Sequence, residues 1–309
     1  MHQQYTQHTQ KTKIMTAADI DMLSCANCGK GEEDSTKLKK CGACLSVKYC
    51  SAACQKAHRP QHKKACKKRA AELYDEKLFR EVEPEECPIC MLPLPLDASQ
   101  TVFNSCCGKL ICKGCIYAMQ ISGGQDLCAF CRTPPPSSSE EIIQRIKKLM
   151  DKKNAKAFHH LAGCYSDGTH DLPQDYQKAK ELWVQAGELG CAEAYLFLAF
   201  WVQEMGGGGA IDKKKVKHYY ELAAMGGCMP ARHNLARLEG QAGNHSRGMK
   251  HLIMAARAGS KESLDEVKRG YKAGLVTKDE YANALRAHHE RQKEMKSDAR
   301  DKAKIIGDE

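Results

Sequence analysis

The sequence predicts a mainly α chain in which two small cysteine-built modules stand in front of an α-helical solenoid of paired helices. Three observations predict it. Fifteen of the 18 cysteines fall between residues 25 and 131, in closely spaced pairs. A stretch of prolines and serines, Thr133 to Ser139, divides them from the C-terminal half of the chain. In that half, glycines, alanines and large apolar residues recur at intervals of 37 and 32 residues.

Composition agrees with several small units. At 309 residues, 6% aromatic and 28% charged, the chain suits two or three compact units better than one large core. No apolar run is long enough to span a bilayer, so no membrane segment is expected. Residues 1–24 read as a disordered tail, and Met1 to Lys13 lacks the apolar stretch of a signal peptide. That places the chain in a reducing compartment, cytoplasmic or nuclear. There, paired cysteines favour metal ligation over a disulfide framework.

The first group is Cys25, Cys28, Cys41, Cys44, Cys50, Cys54, His62 and Cys66. Zinc takes four sulfur or nitrogen ligands in a tetrahedron. A C-x2-C turn offers two sulfurs to one ion, and C-x3-C or H-x3-C puts both ligands on one face of a helix. Eight ligands make two sites. The run Tyr49-Cys50-Ser51-Ala52-Ala53-Cys54-Gln55-Lys56-Ala57-His58, followed by Pro60-Gln61-His62-Lys63-Lys64-Ala65-Cys66, resembles a MYND zinc finger over residues 25–66. The resemblance implies an interleaved arrangement, with Cys25, Cys28, Cys50 and Cys54 on one ion and Cys41, Cys44, His62 and Cys66 on the other. It also implies binding of short proline-containing peptides. Arg59 stands where the family usually has the Trp of the peptide groove, so this chain's peptide preference should differ. His58 reads as a surface histidine, because the eight ligands already fill two tetrahedra.

Residues 67–86 read as a charged helical connector. The second group then begins: Cys87, Cys90, Cys106, Cys107, Cys112, Cys115, Cys128 and Cys131. Pro93 and Pro95 make the long gap after Cys90 an extended loop. Leu110 and Ile111 suggest a short strand, and Ile116 to Gln120 a helical turn or two. The pieces Cys87-Pro88-Ile89-Cys90, Cys107-Gly108-Lys109-Leu110-Ile111-Cys112-Lys113-Gly114-Cys115 and Cys128-Ala129-Phe130-Cys131-Arg132 are similar to an all-cysteine RING finger over 87–132. The resemblance implies a cross-brace: Cys87, Cys90, Cys112 and Cys115 on one ion, Cys106, Cys107, Cys128 and Cys131 on the other. Two departures are the adjacency of Cys106 and Cys107, which asks for a strained backbone, and Ala129 where many ligases have proline. The resemblance further implies that Ile89 and Met119 contact a ubiquitin-conjugating enzyme and that Arg132 orients ubiquitin. The alternative is that Ile89 and Met119 pack the module and Arg132 is solvated.

After the linker 133–139, Glu140 and Glu141 mark a helix start. Residues 140–275 then read as stacked helix pairs. Relative to Gly190, Gly227 and Gly259, N-cap candidates Asp175, Asp212 and Asn244 stand 15 residues before, and Trp183, Tyr220 and Leu252 seven before. Ala186, Ala223 and Ala255 stand four before, Ala194, Ala231 and Ser263 four after, and Leu198, Leu235 and Val267 eight after. Each unit is a capped helix, a glycine stop, and a second helix with small residues for close approach. The segments Trp183 to Gly190 and Tyr220 to Gly227 look like Sel-1-like repeats, relatives of the tetratricopeptide repeat, which implies an adaptor surface for proteins. The remaining Cys164, Cys191 and Cys228 read as packing residues. Residues 276–309 read as a charged C-terminal helix. A RING-like element joined to such repeats is also similar to a group of proteins from diatoms and related algae.

Fifteen thiolates and four zinc ions would bring the formal charge from +10 to roughly +3, which argues against a nucleic-acid partner. The basic stretch Lys63, Lys64, Lys67, Lys68 and Arg69 reads as a solvated helix face. There is no phosphate loop, no dinucleotide fingerprint and no free block for a methyltransferase domain. Two functions from different classes fit. One is a zinc-binding adaptor whose partners are proteins. The other is a RING-type ubiquitin ligase, which has no nucleophile of its own and works by holding the charged thioester in position.

Overall fold

The computed structural model describes residues 23–32, 37–123, 127–204 and 212–307. The expected tail lies outside them except for Leu23 and Ser24. The chain divides into two compact units, 1–77 and 78–309.

In the first unit, β1 (Lys39–Lys40) pairs antiparallel with β2 (Lys48–Tyr49), Lys39 opposite Tyr49. Helix α1 follows over Ala52–Leu78. The core is Cys25, Leu38, Cys41, Cys44 and Tyr49. Three of these five residues are cysteines, so this core has little apolar surface with which to hold itself together. The basic stretch lies on α1, where Arg69 bridges Glu72 and Glu76 at 3.1 and 2.8 Å, as a solvated face does.

The expected helical connector is helical only to Leu78. Residues 80–85 are irregular, and Glu86 bridges Pro93. A short 3-10 turn (Ala98–Gln100) leads into β3 (Thr101–Asn104), which pairs antiparallel with β4 (Lys109–Cys112), Phe103 opposite Leu110. Helix α2 (Lys113–Ile121) follows, ahead of Cys128 and Cys131, the last pair of the second cysteine module.

The solenoid comprises α3 (Ser139–Asp151), α4 (Ala155–Asp167), α5 (Tyr176–Glu188), α6 (Ala192–Glu204), α7 (Lys213–Met225), α8 (Met229–Gln241), α9 (His245–Arg257), α10 (Lys261–Lys272) and α11 (Lys278–Met295). Each packs on the next, and α11 also packs on α9. The periodic residues form the core: Ala186, Ala194, Leu198, Tyr220, Ala223, Ala231, Leu235, Ala255, Ser263 and Val267 are all fully buried. Gly190, Gly227 and Gly259 take the left-handed conformation (φ 100, 93 and 108°) that ends each first helix. Asp175 and Asp212 cap α5 and α7 through their carboxylates. Asn244 stands at the N-cap of α9 but makes no capping bond; its side chain donates to Glu239, a buried carboxylate also paired with Lys217 and Arg247. Satisfying that buried charge outweighs a cap. Cys164, Cys191 and Cys228 are buried among the helices, as packing residues are.

The C-terminal region is two helices rather than one. α11 starts with a Thr277–Glu280 capping box, and the chain breaks at Lys296 before α12 (Asp298–Gly307). α12 packs on α2 of the second cysteine module. His288 is buried and bonds the Ala256 carbonyl at 3.0 Å, an internal packing contact.

Candidate metal centres

The structure brings the sixteen candidate ligands into four groups: Cys25, Cys28, Cys50 and Cys54; Cys41, Cys44, His62 and Cys66; Cys87, Cys90, Cys112 and Cys115; Cys106, Cys107, Cys128 and Cys131. Within each group the ligand atoms lie within 4.8 Å of one another. Both modules are interleaved: pairs one and three share a group, and so do pairs two and four.

The spacing fits zinc. A tetrahedron with Zn–S near 2.3 Å has sulfur–sulfur edges of about 3.8 Å. The Sγ–Sγ separations are 3.7 Å for Cys28–Cys50, 3.8 Å for Cys41–Cys66, Cys87–Cys115 and Cys90–Cys112, 3.9 Å for Cys107–Cys128, and 3.4 Å for Cys106–Cys131. Cys44 Sγ lies 3.2 Å from His62 Nε2. A disulfide would need about 2.05 Å.

One backbone device recurs. In the four loop-borne C-x2-C pairs, the residue after the second cysteine is left-handed: Gly29, Leu45, Met91 and Arg132, at φ 71, 58, 57 and 60°. Each donates its N–H to the first cysteine's carbonyl, at 2.8 to 2.9 Å. The first cysteine's own N–H reaches the carbonyl of Lys30, Val47, Leu92 or Thr133. Three of these four positions carry a side chain in a conformation that disfavours one, so the turn is imposed from outside local preference. Cys112-x2-Cys115 is the exception, because it opens α2. Neither Cys106 nor Cys107 takes a left-handed conformation; Gly108, which carries no Cβ, makes the turn at φ 69°.

The electrostatics ask for a cation. Burial opposes ionisation of Cys25, yet the N–H groups of Cys50, Cys28 and Asn27 outweigh it and bring the thiol down to about 6. Cys41 also falls to about 6, burial being outweighed by the N–H groups of Cys44 and Ala43. In the same groups the neighbouring Cys54 and Cys25 push Cys50 up to about 12, and burial with Cys41 pushes Cys66 up to about 11. Clustered thiols cannot all ionise together without a positive charge among them. A divalent ion supplies it.

Several contributors to these sites carry no sequence signal of their own. Tyr49, buried, bonds His58 Nδ1 at 3.0 Å, and the His58 ring stacks on His62 at 5.5 Å. His58 is therefore half-buried against a ligand, not a free surface residue. In the second module, Arg300 of α12 bonds Cys90 Sγ at 3.4 Å and the carbonyls of Pro93 and Leu92 at 2.7 and 3.4 Å. Gly114 lets α12 approach: a Cβ there would lie 2.7 Å from the Arg300 nitrogen. Phe103 stacks on His160 of α4 at 3.9 Å.

Of the other candidates, Ile89 is 39% exposed, Met119 is half-buried and Arg132 is exposed. Arg132 Nη1 lies 3.7 Å from Met119 Sδ. Arg59 is exposed on α1.

Fold and site together define a zinc-finger protein carrying a helical solenoid. Residues 25–66 match the MYND finger family. Among solved structures, the chain is similar to a Sel1 repeat protein from Oxalobacter formigenes (18% identity over 58% of this chain and 71% of that one, TM-score 0.42). It is also similar to a protective antigen of uropathogenic Escherichia coli with an SLR fold (17% identity, 62% of this chain, 43% of that one, TM-score 0.38). A third similar structure is an immunity protein from Pseudomonas aeruginosa (19% identity, 57% and 63%, TM-score 0.35). The MYND finger is a zinc-binding module for protein interaction, and the four clusters are consistent with four zinc ions.

Proposed function

We propose that the chain is a zinc-stabilised adaptor whose sixteen clustered residues hold four structural ions and whose modules dock other proteins. The observation that carries this reading is the completeness of each group. Four protein donors stand around every centre, so no coordination position is left for a substrate or an activated water. Such ions fix loops rather than perform chemistry, and fixed loops, like a helical array, make docking surfaces. Residues 25–66 are expected to take short peptides, with Arg59 shifting the choice toward segments carrying an acidic group or free carbonyls near the proline. The test is selection of displayed proline-containing peptides on the zinc-loaded chain and on Cys50→Ser. Enrichment on the loaded chain alone supports the reading; equal recovery on both overturns it.

A second reading, RING-type ubiquitin ligase, is favoured by one observation. Ile89 is open to solvent, and Arg132, held by the left-handed turn that follows the last cysteine, lies against Met119. In that reading Ile89 and Met119 would meet a ubiquitin-conjugating enzyme and Arg132 would steady ubiquitin. Discharge of a charged conjugating enzyme to free lysine measures it. Acceleration by the wild-type chain, lost about tenfold in Arg132→Ala, supports the ligase. No acceleration across a panel of enzymes removes it and leaves the adaptor.

A further inference from the structure

The stretch from Leu78 to Glu86 is held by the solenoid in the way a bound peptide is held. It is largely irregular; the carbonyls of Leu78 and Arg80 are bonded by the array, and that of Glu85 accepts from the N–H of Leu94 in the second cysteine module. Leu78 is fully buried among Ala199, Val216, Ala231 and Leu235 of α6 to α8. Phe79 lies on the ring of His251 at 4.6 Å, with Arg247 and Lys250 over its face at 5.1 and 5.8 Å. Val82 fits against Gly227, where a Cβ would come within 3.1 Å of Cγ1. Glu81 pairs with Arg257 at 2.8 Å, and Glu85 with Lys156.

The central feature is Arg232. Its residue is 0% exposed, and its hydrogen-bond partners are backbone carbonyls: Nη1 donates to Leu78 at 3.0 Å and Nη2 to Arg80 at 3.4 Å. A buried cation normally sits with a carboxylate. Here the partners are the carbonyls of residues i and i+2, a backbone reading that does not depend on side chains. His251, also 0% exposed, has no hydrogen-bond partner for either ring nitrogen among the described residues, and its ring faces Phe79. Arg80 between the anchors points outward and is exposed. A full apolar anchor, an aromatic slot, a carbonyl clamp and basic residues matched to acidic ones are the ingredients of peptide recognition. Space remains beside the segment: a cleft of about 190 Å³ borders Val82, Pro84, Met229 and Arg257.

We infer that α6 to α9 form a peptide-binding channel, clamped by Arg232, that takes extended segments of the pattern Leu-Phe-any-acidic-apolar and is filled in cis by residues 78–86. This rests on the adaptor reading and names one of its partners by chemistry: a protein presenting an unstructured Leu-Phe segment followed by acidic residues. Because the cis segment is tethered, it competes at a high effective concentration. A partner gains access when the cis segment is drawn out.

The experiment uses the full-length, zinc-loaded chain and a fluorescent synthetic peptide with the sequence of Leu78 to Glu86, followed by anisotropy. Wild type should bind it about 100-fold more weakly than the chain carrying Leu78→Ser and Phe79→Ser, in which the channel is vacated. Adding Arg232→Ala to that chain should abolish binding. A vacated chain that keeps its helix signal and four zinc ions yet ignores the peptide overturns the inference. Should the double variant not fold, Glu81→Lys with Glu85→Lys loosens the cis segment from the surface alone. It should strengthen peptide binding severalfold, and unchanged binding again overturns the inference. The Cys50 peptide selection reads residues 25–66, so success there with failure here removes the channel and leaves the adaptor.

Discussion

In the first cysteine module the buried residues are its own: Cys25, Leu38, Cys41, Cys44 and Tyr49, backed by the local Tyr49–His58–His62 contacts. In the second, the buried set shrinks to Cys87, Ile111 and Cys112. Support comes instead from the array, through Phe103 on His160 and Gly108 facing Asn154, and from α12, through Arg300 on Cys90 and its loop. The same ligand arithmetic thus yields one module that leans on metal and a few neighbours, and another that leans on metal and a long-range scaffold. Zinc supplies folding energy to both modules, and in the second the scaffold adds to it.

The largest expected effect breaks this comparison at its metal. Cys50→Ser should unfold the first module, since about 10 kcal/mol of apparent folding energy comes from each structural ion. Native mass spectrometry should then count two zinc ions instead of four, with the solenoid's helix signal unchanged. Retention of all four would show that Cys50 is not a ligand.

A smaller effect should fall on one module alone. Arg300→Ala leaves the Pro93 and Leu92 carbonyls and the Cys90 sulfur without their donor, at a cost of about 3 kcal/mol to the second module. Zinc transfer to a colorimetric chelator should show two of the four ions leaving faster and the other two at the wild-type rate. Equal acceleration of all four would mean that α12 does not distinguish the modules.

The smallest effect should be shared. Leu45→Gly and Met91→Gly each relieve a left-handed residue in an equivalent turn, worth up to about 1 kcal/mol. Each should slow zinc loss slightly from its own module. A gain in one and a loss in the other would show that the turns are not equivalent.

Ligand sets and solenoid were legible because each has a fixed local spacing. Tetrahedral coordination needs paired sulfurs, and helix stacking needs caps, stops and small residues at set intervals. What stayed hidden is non-local. Arg300 and Cys90 are 210 residues apart, and Arg232 and Leu78 are 154 apart. Neither arginine differs in local pattern from a solvated one. Asn244 looked like a cap because its position is that of a cap; only the buried Glu239 nearby explains why its amide turns away. The left-handed turns after the cysteine pairs were equally silent, since Leu45, Met91 and Arg132 are residues no conformational preference would place there.

The reach of Arg300 also sets an order of events in time. A ribosome adds about 5–20 residues per second, so Cys90 is made some 10–40 s before the arginine that bonds its sulfur, 210 residues later. During that interval the second module can gather its ions, but part of its shell has not yet been synthesised. The first module meets no such delay, because Tyr49, His58 and His62 follow one another within about three seconds at most. The first module's supporting contacts are therefore all available while the second still waits for Arg300.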